Sequence, residues 1–310
     1  FLGMAEITAV SNYVQLWFPN WPAWQIQIVF LALLSCVNLI AVKVFGEVEF
    51  WFGMIKIVTI LALIATGIFM VTTNFETPAG HASLSNITNG FQMFPNGWVK
   101  FVMAFQMVFF AYQAIEFVGI TTSETANPRQ VLPKAIKEIP IRIVIFYVGA
   151  LLAIMAIFPW QQLPVNKSPF VTVFQMVGIK WAAGLINFVV LTAAASSLNS
   201  TLYSTGRHLY QIAKETPNSK VMNRLKLNSL SRMGIPSRAI IVSAIVVAVS
   251  AFINILPGVS DAFALITASS SGVYIAIYIL TMLAHLKYRK SKEFMPDGFV
   301  MPAYKVLNPL

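Results

Sequence analysis

Long apolar runs alternate with two kinds of gap, and the two kinds differ in charge. One set carries Arg129, Lys134, Lys137 and Arg142, then Arg207, Lys214, Lys220, Arg224, Lys226, Arg232 and Arg238, then Lys287, Arg289, Lys290 and Lys292. The other set is poor in base: 19–24, 73–97 and 256–260 contain no Lys or Arg. Lys167 and Lys180 depart from the pattern, both in the gap after Phe158. Basic loops are retained on the cytoplasmic side of a membrane, so this alternation implies a polytopic, all-α membrane bundle and fixes its orientation. Hydrophobic residues make up 57% of the chain and charged residues 10%, less than half the share usual for soluble domains.

The net charge of +10 is segregated into loops, not gathered on one face, which argues against nucleic acid as a partner. Cys36 is the only cysteine and lies in an apolar run, so no disulfide framework or cysteine-rich metal site is expected. The chain opens inside an apolar run at Phe1 and stops at Leu310 where another could begin. It reads as an internal piece of a longer protein.

A hydrocarbon core takes about 20 apolar residues per helix. Eight spans are predicted, at 1–18, 25–42, 50–71, 99–120, 141–158, 181–202, 239–256 and 262–283. Glu47 and Glu49 precede the third span beside aromatic anchors and are placed at the cytoplasmic interface. The stretch 122–140 is assigned to a cytoplasmic loop with a short amphipathic piece. The long gap at 72–96 faces outward and contains the sequon Asn86-Ile87-Thr88.

A charge at the centre of a membrane helix costs about 2.5–3.5 kcal/mol, so charged residues inside spans are candidates for function. Glu6 lies in the first span, Lys56 about one turn into the third, Glu116 deep in the fourth and Asp261 at the mouth of the eighth. Asp261 reads as a helix cap. Lys56 is able to snorkel to the interface; Glu6 and Glu116 must face protein or a watery cavity. Around Glu116, the residues Gln113, Gly119 and Thr121 interrupt an apolar run. Either the helix breaks there and frees peptide groups for a zwitterion, or it presents a polar packing face. Ser196, Ser197 and Asn199 sit in a run of small residues. They serve either close helix packing or an ion or proton site. Thr267, Ser269, Ser270, Ser271 and Gly272 repeat that pattern.

Several stretches carry a resemblance: GMAEITAVSNYVQ at 3–15, KVFGEVEFWFGMIKIVTILALI at 43–64, EFVGITTSETANPRQVLPKAIKEIPIRI at 116–143, FPW at 158–160 and SSLNSTLYSTGRHLYQIA at 196–213. Together they resemble the amino-acid permeases of the amino acid–polyamine–organocation superfamily. Within it they are most similar to the bacterial branch that takes D-serine, D-alanine and glycine. Aromatic, GABA and lysine permeases share much of the pattern. The resemblance implies a leucine-transporter-like fold of two inverted five-helix repeats and two further helices. This chain would supply the third to the tenth helix as one integral-membrane domain (1–310), without the first two helices and the last ones.

It implies proton symport of small neutral amino acids across the bacterial inner membrane, with no cofactor. On that template the substrate would meet a broken helix at Ala111, Tyr112, Gln113, Ala114, Ile115 and Glu116, with Glu6 lining the pathway. Lys56 would take and release the coupling proton, with Ser196 and Ser197 beside it. Tyr112-Gln113-Ala114 departs from the smaller or more apolar residues of many relatives. Exchange instead of symport, another amino-acid class, or a receptor that moves no solute are the competing readings. A membrane enzyme would need a HExxH helix or paired aspartates at depth, and none is present.

Overall fold

In a hydrocarbon solvent every peptide group must be satisfied within its own segment, so a chain this apolar has few options besides helix. The computed structural model describes all residues except 41, 79, 121–126, 164–167, 177–179, 254, 257–261, 296–299, 302–303 and 305–310. The elements in order are α1 (Leu2–Gln15), α2 (Ala23–Ile40), α3 (Val42–Thr72), a two-residue hairpin of β1 (Glu76–Thr77) and β2 (Gly80–His81), α4 (Ser85–Thr88), α5 (Trp98–Ala111), α6 (Phe117–Ile120) and α7 (Pro128–Ile143). A π-turn (Val144–Val148) leads into α8 (Gly149–Ile157). Then follow α9 (Pro169–Met176), α10 (Lys180–Glu215), α11 (Lys220–Arg224), α12 (Ser237–Ile253) and α13 (Ala262–Tyr288).

Among the described residues, four helices are long and apolar enough to cross a membrane: Glu49–Thr72, Pro128–Ile157, Ala183–Glu215 and Ala262–Tyr288. They correspond to the third, fifth, sixth and eighth expected spans. The others are shorter apolar helices at Ala23–Leu39, Trp98–Ala111 and Ser237–Ile253, and the 14-residue α1.

The helices refine the expected boundaries in three places. The third span lies where expected, at Glu49–Thr72, but its helix starts earlier, at Val42. The run at 99–120 breaks after Ala111, the first of the two readings the sequence allows. The stretch 122–140 is not mainly loop: from Pro128 it is helix, and the helical run extends to Ile157. Pro128 opens that helix at the position where its missing N–H is harmless. Glu138 pairs with Arg142 one turn on, at 2.6 Å.

The chain forms two compact units: Phe1–Met93 with Ile143–Phe263, and Phe94–Arg142 with Ala264–Leu310. In the first, α10 is central and packs on α1, α2, α3, α9 and α12. The apolar stretch of α10 is 61% buried against protein, whereas that of α3 is 17% buried. The chief core joins Ile7, Val10 and Val14 of α1 to Leu198 and Leu202 of α10 and Val247 of α12. One face of α3 repeats every seventh residue, with Glu49, Lys56, Leu63 and Met70 in line. Leu63 and Met70 enter a second core with Ala150, Ile154 and Ile157 of α8.

The segment after α3 caps this second core with Phe75 and Ala82. Asn86 holds it down: its Nδ2 donates to Ala156 O at 2.9 Å and His81 O at 3.0 Å. That nitrogen is the one a glycan would take, so the sequon here serves as a fastener between the cap and α8. In the second unit, Phe94, Trp98, Phe101 and Phe105 stack along the start of α5, with neighbouring ring centres 5.0–5.5 Å apart.

Close approach of α3 and α8 depends on Gly67. A Cβ built there would lie 2.8 Å from Ala153 Cβ and 3.2 Å from its Cα, and neither atom can swing aside. Gly67→Ala is expected to destabilise the protein by about 1–3 kcal/mol through overpacking. Adding Ala153→Gly should restore most of the loss in thermal unfolding of the purified protein; equal melting of the single variant and wild type would contradict this packing.

Candidate functional site

The first unit gathers four of the expected site residues into one polar seam. Lys56 Nζ donates to Ser196 Oγ at 2.9 Å. Ser196 Oγ donates in turn to Glu49 Oε2 at 2.7 Å. An ammonium can only donate and an ionised carboxylate can only accept, so the serine hydroxyl has one available direction between them. Asn199 Nδ2 donates to Glu49 Oε1 at 3.0 Å. That fixes the amide orientation of Asn199 and leaves its Oδ1 for Asn38 Nδ2, 2.7 Å away on α2. On the neighbouring face of α10, Ser197 Oγ donates to Glu6 Oε1 at 2.7 Å.

Helix geometry explains the convergence. Glu49 and Lys56 are seven residues apart and share a face of α3; Ser196 and Asn199 are three apart and share a face of α10. Ser197 is one step round the helix and therefore meets α1. Ser196 and Asn199 are fully buried and Asn38 nearly so. In such surroundings unpartnered charges are strongly disfavoured, and bonded ones are held in fixed geometry. Lys56 therefore does not snorkel away from the bundle; its ammonium turns inward to α10.

Two members of the seam differ from what the sequence suggests. Glu49, expected at the interface, accepts hydrogen bonds at both carboxylate oxygens. Asn38 is not among the expected site residues. The seven-residue spacing from Glu49 to Lys56 is the signal for the first; an isolated Asn in an apolar run is the only signal for the second.

The second unit holds 111–116. Helix α5 ends at Ala111, residues 112–116 form turns, and α6 resumes at Phe117. Ala114 takes φ 71°, a left-handed conformation that crowds the alanine side chain. Among the described residues, the amides of Ala114, Ile115 and Glu116 have no backbone acceptor. The break is braced from α13: Ser270 Oγ donates to Gln113 Oε1 at 2.9 Å, and Tyr278 Oη donates to Glu116 Oε2 at 3.1 Å. Gln113 Nε2 is buried with no hydrogen-bond partner. Tyr112 and Ala114 are half-buried, whereas Ala111, Ile115 and Glu116 are exposed. Ser271 Oγ lies 2.6 Å from Gln106 O, further along α5. Of the polar run 267–271, only Ser269 is exposed; Thr267, Ser269 and Ser271 each donate to a carbonyl of their own helix. Thr121, Asp261 and Lys167 lie outside the described residues.

Among the described residues, no group of three or more His, Cys, Asp or Glu is placed to hold a metal. Multiple apolar helices, a polar seam and a helix broken within an apolar run define an all-α, polytopic membrane bundle. The family model for amino acid permeases matches residues 1–299, and the chain belongs to that family. Similar relatives include the DL-alanine permease SerP2 of Lactococcus lactis subsp. cremoris, 46% identical over all of this chain and 67% of the relative. The serine permease SerP1 of the same organism is 45% identical over all of this chain and 68% of the relative. The D-serine/D-alanine/glycine transporter of Escherichia coli is 40% identical over 98% of this chain and 65% of the relative. The chain thus spans about two thirds of the length of these relatives.

Asn199 tests the seam. Asn199→Ala takes the donor from Glu49 Oε1 and the side-chain acceptor from Asn38 Nδ2, which keeps Leu34 O, and should cost about 1–3 kcal/mol in thermal unfolding. Asn199→Asp keeps the shape but sets a second carboxylate against Glu49, and should cost more. An aspartate variant as stable as wild type would contradict donation from Asn199 to Glu49.

Proposed function

We propose that this chain is part of a secondary transporter of small neutral amino acids, driven by proton symport across the bacterial cytoplasmic membrane. The observation that carries the reading is Lys56: a charge on an apolar helix, turned inward and bonded to Ser196, in a chain of the amino acid permease family. The names of the relatives support alanine of either hand, serine and glycine as the substrate class. Basic gaps at 129–142, 207–238 and 287–292 support a cytoplasmic placement of those segments.

The mechanism follows from the chemistry of each cluster. A zwitterion needs a donor for its carboxylate and an acceptor for its ammonium. Peptide groups around the break, within 111–116, supply both kinds without adding fixed charge. Tyr112 and Gln113 then meet the substrate side chain, and Glu6 lines the route. Lys56 gains a proton in one orientation of the bundle and loses it in the other. Its charge biases the two states, and Ser196 and Ser197 hold the seam in register as α10 moves against α3 and α1. A leucine-transporter-like inverted repeat provides the frame for this alternation.

The test is uptake of labelled glycine, D-alanine and serine by the full-length protein in sealed proteoliposomes, with and without an inward proton gradient. Wild type should accumulate substrate only with the gradient. Lys56→Ala should lose that dependence while still folding. Uptake by wild type that ignores the gradient would replace symport by exchange or facilitation; no uptake of any amino acid by folded protein would refute transport altogether.

A further inference from the structure

The seam contains a carboxylate that the symport reading leaves without a task. Glu49 lies two helical turns before Lys56, toward the end of α3 where the sequence places the cytoplasmic interface. It is joined to Lys56 by a single atom, Ser196 Oγ, which accepts from Nζ at 2.9 Å and donates to Oε2 at 2.7 Å. We propose that Glu49 is the acceptor through which the coupling proton leaves Lys56 for the cytoplasm, with the Ser196 hydroxyl as relay. This rests on the reading of Lys56 as the coupling site.

The step balances. Lys56 gives one proton to Ser196 Oγ as the hydroxyl proton passes to Glu49 Oε2. The products are a neutral amine, an unchanged serine and a neutral carboxylic acid. Both charges disappear together, which suits a part-buried site where only Ser196 between them is fully buried. Glu49 is half-buried, so it can then pass the proton to water. Asn199 fixes the carboxylate by its other oxygen and keeps Oε2 turned to the serine.

The surroundings offer few competing groups. From α1, Glu6 faces the seam through Ser197. From α2 comes Asn38, with Cys36 exposed. The α8 segment has no titratable residue, and the π-turn carries Tyr147. Further along α10, Arg207 lies over the ring of Tyr203 at 3.4 Å.

The experiment uses the full-length protein in proteoliposomes loaded with a pH-sensitive dye. Gradient-driven glycine uptake and proton entry per glycine are compared with glycine counterflow, which needs no net proton release. Glu49→Gln is expected to cut gradient-driven uptake and proton entry at least tenfold, and counterflow far less. Ser196→Ala should act in the same way, and Ser196→Thr, which restores a hydroxyl, should recover coupling. If Glu49→Gln fails to fold, the serine pair decides. Wild-type coupling in Glu49→Gln, or in Ser196→Ala, overturns the relay. If Lys56→Ala itself keeps full coupling, the symport reading fails first, and the relay with it.

Discussion

The arrangement of the first unit depends on one buried interaction: an ammonium on α3 and a carboxylate on the same helix face meet through a hydroxyl on α10. Each charge is half-buried, so each gains from a partner that offsets part of its lost hydration. Asn199 and Asn38 extend the chain of bonds, which ties α2, α3 and α10 at one level. Apolar packing takes over along the same line of α3, where Leu63 and Met70 meet α8. The polar end fixes register; the apolar end and the glycine contact at Gly67 fix distance. Lipid provides little hydrophobic drive between helices, so specific bonds and close small-residue contacts carry much of the assembly.

The second cluster solves a different problem. A helix within an apolar run gives up peptide N–H bonds at 114–116, which is tolerated only where protein or a cavity receives them. Ser270 and Tyr278 brace its side chains from α13, and Ala114 accepts a left-handed backbone that glycine would take more readily. Strain held in place by surrounding bonds is characteristic of sites that bind or switch. Gln113, bonded at its oxygen and bare at its nitrogen, is the most directional group in the break.

Much of this is legible in the residues alone. Apolar run length gives the helices and their order, and the cost of charge in a membrane singles out Lys56, Glu6 and Glu116. The interruption by Gln113 and Glu116 points to the break, although the φ of Ala114 cannot be read from an alanine. The role of Glu49 is not legible, for a physical reason. Hydropathy marks where apolar residues begin, near 50, but a helix continues as far as its polar turns find partners. The partners of Glu49 are about 150 positions away in the chain, on α10, and only the fold brings them near. The helix start at Pro128 differs from expectation because proline geometry sets it, not hydropathy.

Lys56 and Glu49 act as one coupled unit inside the bundle. A double-mutant cycle tests this most directly, by thermal unfolding of the full-length protein carrying Lys56→Met, Glu49→Gln, and both. If the two charges sustain each other through Ser196, each single variant strands a half-buried charge and loses more stability than the double, which strands none. If the two losses simply add, the residues act independently, and the buried pair does not exist in the folded protein.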